Sequence, residues 1–430
     1  MDIEVICTGD EVLTGKIINS NFSYITQKLE DFGLSVKRGV TVGDDREELL
    51  RAFQLAGERA DVVIVNGGLG PTVDDLSQEI AAQAAGVELE LNEDWLHRMR
   101  EYFSARGRTM PENNSKQAML PKGAEMVDNP IGTACGFGVS IGKAVFYFTP
   151  GVPRELHRML EHELIPRMLK KSGIQEVIVL KRFHSYGLGE SHVDQLLSGL
   201  VEMVPDGSLK LGFRAHYPQL ETKLTIRAAS MDEARAKLAP VEDELRSRLG
   251  NFILAEDDET MEGVLRELLL KDQASLAVVE DFTGGQIAGR LAPLPDAGEF
   301  LLRGTVAPSP RSKMDIFAVD GENTLGDWEF GIGLGELLAQ RSREGAGATY
   351  GLAALCQLSE GDGRIAGNMN SNIVVAIASR EGIVHRRSRL AGNRDWIRLG
   401  TVELALDCLR RHLQGLPIQE KTDFERPPPR

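Results

Sequence analysis

Cysteine is scarce: the 430 residues contain four, Cys7, Cys135, Cys356 and Cys408, and no two of them form a CxxC pair. That spacing excludes a disulfide framework and a structural zinc site, and leaves four small apolar residues for the interior. Positive charge is short as well. The 49 Lys and Arg face 64 Asp and Glu, for a formal net charge of −15, which repels nucleic acid and anionic membrane over long range and excludes both as principal partners. No apolar run approaches a bilayer span, and the opening stretch Met1 to Cys7 has no basic region followed by an apolar core, so a cytoplasmic protein is expected. The length exceeds what one core can serve and points to two to four domains.

What is present is ordered in blocks. Residues 1–170 alternate strand-like and helix-like segments at βαβ spacing, which predicts an α/β domain with a doubly wound, mainly parallel sheet and ligands at the carboxyl ends of its strands. The central feature is the loop Asn66 to Ser77, between the buried-strand pattern Val62 to Val65 and the helix former Gln78 to Ala85. Gly67, Gly68 and Gly70 let backbone approach an anion there, and helix-start N–H groups favour negative charge. Asp74 and Asp75 read either as N-caps or as metal ligands, because carboxylates beside a phosphate repel it unless a cation intervenes. Asp10 follows the first strand, and Asp44 and Asp45 follow the second. Three strand ends thus bring carboxylates to one rim, an arrangement that a cation would neutralise. Asn113, Asn114 and Lys116 lie in a polar stretch read as a loop over that rim: the amides suit ribose or base, and the lysine a phosphate, unless they are solvated turn residues.

These motifs, together with Thr8-Gly-Asp-Glu11, Val42-Gly-Asp-Asp45, Asn129-Pro-Ile-Gly-Thr-Ala134 and Pro150-Gly-Val-Pro153, closely resemble the N-terminal domain of the CinA family, itself similar to the molybdopterin-binding domains of the MogA, MoaB and MoeA type. The resemblance implies that Asp44 and Asp75 are the functional pair, with Ser77 where threonine is usual. It also implies metal-dependent hydrolysis of ADP-ribose or a related nucleotide pyrophosphate, in pyridine-nucleotide recycling. In that expectation a divalent cation (Mg, Mn, Co or Ni), with or without a monovalent one, is held by Asp10, Asp44 and Asp75 and activates water. Gly67, Gly68, Gly70 and Thr72 then cradle the non-reacting phosphate.

Residues 171–258 read as a small α+β unit, with strands from Gln175 and Thr222 and a long amphipathic helix from Met231 to Leu249. It resembles the KH-like middle domain of CinA proteins but has no GxxG, so nucleic-acid binding is not expected. The apolar stripe of the long helix, with the family's dimers, leads to a homodimer expectation. Residues 259–415 resemble the family's C-terminal α/β domain, in many members a nicotinamide-nucleotide deamidase. There the signature Ala-Glu-Ser-Cys-Thr-Gly-Gly becomes Val279-Glu-Asp-Phe-Thr-Gly-Gly285, which puts Asp281 where the resemblance places a catalytic serine. Thr283, Lys313 and Arg394 keep their places, and a glycine-rich segment is replaced by Leu355 to Gly361. A carboxylate cannot take the serine's acyl-ester route, so this activity is expected to be lost. Thr283 and Ser309 offer hydroxyls whose simplest role is capping. Residues 416–430 are polar and Pro-rich and are expected to be a disordered tail. Deamidation of nicotinamide mononucleotide by the third domain, and non-catalytic pterin or nucleotide binding, stand as the alternatives to pyrophosphate hydrolysis.

Overall fold

The computed structural model describes residues 1–173, 177–317, 330–360 and 369–426, without side chains at 314–317. The expected strand start at Gln175, the position Gly361 and residues 427–430 lie outside that set. The chain forms two compact units, Met1–Val179 and Leu180–Arg430.

In the first unit β1 (Ile3–Thr8), β2 (Val36–Val42) and β3 (Val62–Asn66) are parallel. The short strands β4 (Leu89–Leu91) and β5 (Met119–Pro121) pair apart from them. β6 (Glu125–Val127), β7 (Gly136–Ile141) and β8 (Ala144–Thr149) complete a sheet of order β2-β1-β3-β8-β7-β6. β8 runs parallel to β3, whereas β7 and β6 turn back antiparallel. The sheet is therefore mixed, with its parallel half bearing the loops of interest. β1 and β3 are buried at every position, as strands covered by helices on both faces must be. The helix Ser20–Asp31 is capped by the Asn19 side chain, and Arg46–Arg59 by Asp45, which accepts from Glu47 N and Glu48 N at 3.0 Å each. Asp45 is thus a cap. Pro153–Met159 continues through a π turn, Leu160–Leu164, into Ile165–Ser172, where Pro166 follows the register change.

In the second unit β9 (Val177–Tyr186), β10 (Leu209–His216), β11 (Gln219–Ala228) and β12 (Ile253–Glu256) form a sheet of order β10-β11-β9-β12. The helix Met231–Leu249 covers it, and Ala234, Leu238, Val241, Leu245 and Leu249 are buried. The apolar stripe on which the dimer expectation rests packs on the chain's own sheet. The remaining strands are β13 (Leu276–Glu280), β14 (Leu301–Val306), β15 (Tyr350–Glu360), β16 (Met369–Ala378), β17 (Ile383–Ser388) and β18 (Ala391–Gly392). They give the order β14-β13-β15-β16-β17, with β18 on β16. β13 lies between β14 and β15 and is parallel to both, whereas β16 and β17 are antiparallel. The helix Arg394–Leu413 is buried over most of its length, and Asp407 binds both Arg410 and Arg411, at 2.6 and 2.7 Å.

The polar end of the chain does not stay free. Asp423 accepts from Gly189 N at 2.8 Å and meets His192 Nδ1 at 2.9 Å, its own N–H donates to Gly187 O at 2.7 Å, and Phe424 packs on Tyr217. The expected disordered tail is corrected up to residue 426: charged residues there find buried arginines, which composition alone does not reveal. Among the described residues no helix is long and apolar enough to cross a membrane.

Candidate functional site

In the first unit the carboxyl ends of β1, β2, β3 and β8 open on a cleft of about 610 Å³, lined by Asp44, Gly67, Gly68, Gly70, Thr72, Asp74 and Asp75 among others. Gly67 and Gly68 have φ of +115° and +69°, which L side chains rarely adopt. A Cβ on Gly67 would run into Thr8, so the loop is built to lie against the first strand. Asn21 and Asn66 form the floor, with Asn66 Nδ2 donating to Pro150 O at 2.7 Å and Asn21 Nδ2 to Gly151 O at 2.7 Å. Neither asparagine is singled out by sequence, since each sits in an ordinary helix or strand pattern.

The carboxylates are spent differently from expectation. Asp10 and Asp44 exchange hydrogen bonds, each backbone N–H donating to the other's carboxylate at 3.2 Å. Burial pushes the Asp44 carboxyl above its ordinary range, and the charges of Asp10, Glu11 and Asp74 push the same way. Asp75 is turned onto Thr72, accepting from its N–H at 2.8 Å and from its hydroxyl at 2.5 Å. The helix Ser77–Ala85 has Leu76 at its N-cap with no side-chain cap bond, so neither Asp74 nor Asp75 caps it. Lys116 does not point to an open phosphate position: its Nζ donates to Thr72 O at 2.9 Å. Asn114 is buried and donates to Gln117, whose amide holds Leu69 O, while Asn113 is exposed and, like Asn114, lies outside the cleft lining. Among the described residues no three His, Cys, Asp or Glu side chains are disposed to hold one metal ion. Asp10 and Asp44 are bound to each other's backbone, and Asp75 to Thr72.

The second unit gathers a different cluster. β13 is the point from which the chain passes first to β14 on one side and then back to β15 on the other, and ligands in open α/β sheets sit outside the carboxyl ends at such a point. Asp281 immediately follows β13. Its Oδ1 accepts from Cys356 N at 2.9 Å and its Oδ2 from Lys313 Nζ at 3.0 Å. Lys313, in the helix Pro310–Phe317 after β14, is 7% exposed and Asp281 6%. Glu280 is fully buried. It accepts from the Thr283 hydroxyl at 2.6 Å and from Gly285, Ile287 and Ala288 N–H at 3.2, 3.1 and 2.9 Å. Glu280 therefore closes the start of the helix Gln286–Leu291, and Thr283 is bound to it rather than free to react. Ser309 likewise exchanges bonds with Ser312. The Arg394 guanidinium lies 5.0 Å from the Phe282 ring centre. Asp281, Lys313 and Arg394 thus converge; Thr283 and Ser309 are structural, and Cys356 is the member that sequence reading leaves aside as an apolar residue.

Three family models match in succession: "Probable molybdopterin binding domain" over residues 4–170, "Damage-inducible protein CinA KH domain" over 180–255 and "CinA C-terminal domain" over 258–413. A CinA-like protein of Shewanella sediminis is 36% identical over 417 residues, and the nicotinamide-nucleotide amidohydrolase PncC of Shewanella oneidensis is 35% identical over 414; each match covers 96% of both chains. The crystal structure of CinA from Thermoplasma acidophilum, a protein of unknown function, is 33% identical, with a TM-score of 0.35, and covers 40% of this chain and 96% of that one. The expectation of metal-dependent ADP-ribose hydrolysis, with deamidation lost from the third domain, is overturned. A relative spanning all three domains is named for amide hydrolysis, and the third domain matches the CinA C-terminal model. Matched by all three models in order, and more than a third identical to full-length relatives, the chain belongs to the CinA family.

Proposed function

We propose that the third domain hydrolyses the carboxamide of a nicotinamide nucleotide, releasing ammonia. The observation that carries this reading is the buried Asp281–Lys313 pair at the carboxyl end of β13. The amidohydrolase name of the Shewanella oneidensis relative supports it. Amide cleavage needs a group that takes a proton from the attacking atom and returns it to the departing nitrogen. Asp281 serves as that group, with Lys313 and the Cys356 N–H holding its two oxygens in place. The Phe282 face suits a pyridinium ring, and Arg394 beside it suits the nucleotide phosphate.

Ammonia release from nicotinamide mononucleotide by the purified chain, followed by a coupled assay, tests the reading. Turnover is expected in the native protein, with a loss of at least ~100-fold in Asp281→Asn, the usual contribution of a positioned acid–base group. No ammonia from the native protein, or a native rate in the variant, would refute it.

A further inference from the structure

We propose that the tip of the β10–β11 hairpin is a clamp that sets the position of Arg394, with Tyr217 as the positioning residue. The inference rests on the amidohydrolase reading above and adds what holds the phosphate-facing arginine in place. Arg394 opens the helix Arg394–Leu413, which Asn393 caps by accepting from Trp396 N at 2.8 Å. A helix start has few bonds of its own, because its first N–H groups have no partner one turn back. What steadies this one from outside lies 179 residues earlier in the chain.

The Tyr217 ring stacks on Trp396, with centroids 4.0 Å apart and planes 15° from parallel, and its hydroxyl donates to Trp396 O at 3.2 Å. One turn further on the helix is cut away to receive it: a Cβ on Gly400 would lie 2.6 Å from the Tyr217 oxygen. Phe424 meets the same ring edge-on, 5.7 Å away, so Tyr217 is fixed by two aromatic neighbours. Burial pushes its phenol up to about 12, and the hydroxyl therefore remains a donor through the neutral range. Trp396 is still 49% exposed with Tyr217 against it. The stack thus adds little to the core, and its effect falls on where the helix begins. Residues two apart on a helix lie about 200° round its axis, so Arg394 reaches from the other side of the same turn, its guanidinium 5.0 Å from the Phe282 ring centre. A shift of that turn is carried to the charge.

The clamp has a second point. Gln219, which pairs with His216 across the hairpin turn, donates its amide to Glu403 Oε1 at 2.6 Å, and the other Glu403 oxygen accepts from Arg290 Nη1 at 2.6 Å. Arg290 belongs to the helix Gln286–Leu291, whose start Glu280 closes beside Asp281. The hairpin tip is therefore tied to both helices that border the site, the one that begins with Arg394 and the one that follows Asp281. Tyr217 touches neither Arg394 nor Asp281 itself; it acts through Trp396.

The test uses the full-length chain. Tyr217→Ala is expected to raise KM for nicotinamide mononucleotide about 5-fold, the worth of one stacked aromatic pair, with kcat close to native. Tyr217→Phe, which keeps the stack, should stay near the native KM. Trp396→Ala, at a half-exposed position that folding tolerates, should reproduce the rise, and the double variant should be no worse than either single one. Added to Arg394→Ala, where the charge is already gone, Tyr217→Ala should raise KM no further. Hydrogen exchange needs no substrate: the peptide spanning residues 393–404 should exchange faster in Tyr217→Ala than in the native protein. A native KM in Tyr217→Ala, a further rise on top of Arg394→Ala, or native exchange in that peptide would overturn the inference while leaving the amidohydrolase reading intact. No ammonia from the native protein would refute that reading, and the exchange measurement alone would then uphold or overturn the clamp.

Discussion

At the scale of single residues, the third domain illustrates how a side chain's partners, rather than its identity, assign its role. Glu280 and Asp281 are adjacent carboxylates with opposite duties. Glu280 faces inward and satisfies a hydroxyl and three helix-start N–H groups, whereas Asp281 reaches a lysine from another segment and the backbone of β15. Removing Glu280 strands those buried donors, and hydrogen bonds to a charged acceptor are the strong ones. Glu280→Ala is expected to cost about 3 kcal/mol in urea denaturation; a cost below about 1 kcal/mol would show that the donors find other acceptors. The sequence marks both residues through the retained Glu-x-x-Thr-Gly-Gly frame. It could not say which one is structural, since hydrogen-bond direction is decided by segments 3 to 75 residues away.

At the scale of elements, local pattern and tertiary contact contribute unequally. The strands β1 to β3 and their helices were legible because burial on both faces gives unbroken apolar runs and because Asn19 and Asp45 are ordinary caps. β10 and β12 were not, since both lie at sheet edges where polar residues are tolerated. The acidic run from Glu256 lies where the second and third matched domains meet, and Glu256 itself is also the last residue of β12. There the Arg246 guanidinium first, and then Lys181, hold the Glu256 carboxyl down at about 2 from an ordinary 4.5. Because the folded value is the lower one, the pairing stabilises the fold fully above pH 4.5, and that stabilisation is lost as pH falls from 4.5 toward 2. The side chain is 28% exposed, and solvent screening keeps the effect to about 1 kcal/mol. Denaturation midpoints measured across that window should fall less steeply in Glu256→Gln than in the native protein; parallel curves would contradict the assignment.

At the scale of the whole chain, the last described residues act as a strap within the second unit. Arg386 and Arg411 are almost fully buried, and their carboxylate partners Glu425 and Glu420 come from this segment. Breaking a buried pair by removing one partner costs about 3–5 kcal/mol, since the other charge is left uncompensated. Truncation after Gly415 is therefore expected to lower the second unit's denaturation midpoint well below that of the intact chain. An unchanged midpoint would show the strap to be incidental. The CinA-type order of domains, the parallel strands and their loops, and the residues at the degenerate signature were all readable from the chain, because they depend on short-range pattern and spacing. The first-rim aspartates looked like a metal site for the same reason: spacing brings them to one rim but does not say which donors they bind. Only the tertiary structure decided that Asp75 turns to Thr72, that Asp281 meets Lys313 and the Cys356 backbone, and that Glu420 and Glu425 reach buried arginines. A carboxylate or thiol takes its chemistry from the groups within a few ångströms, and here those groups come from distant parts of the chain.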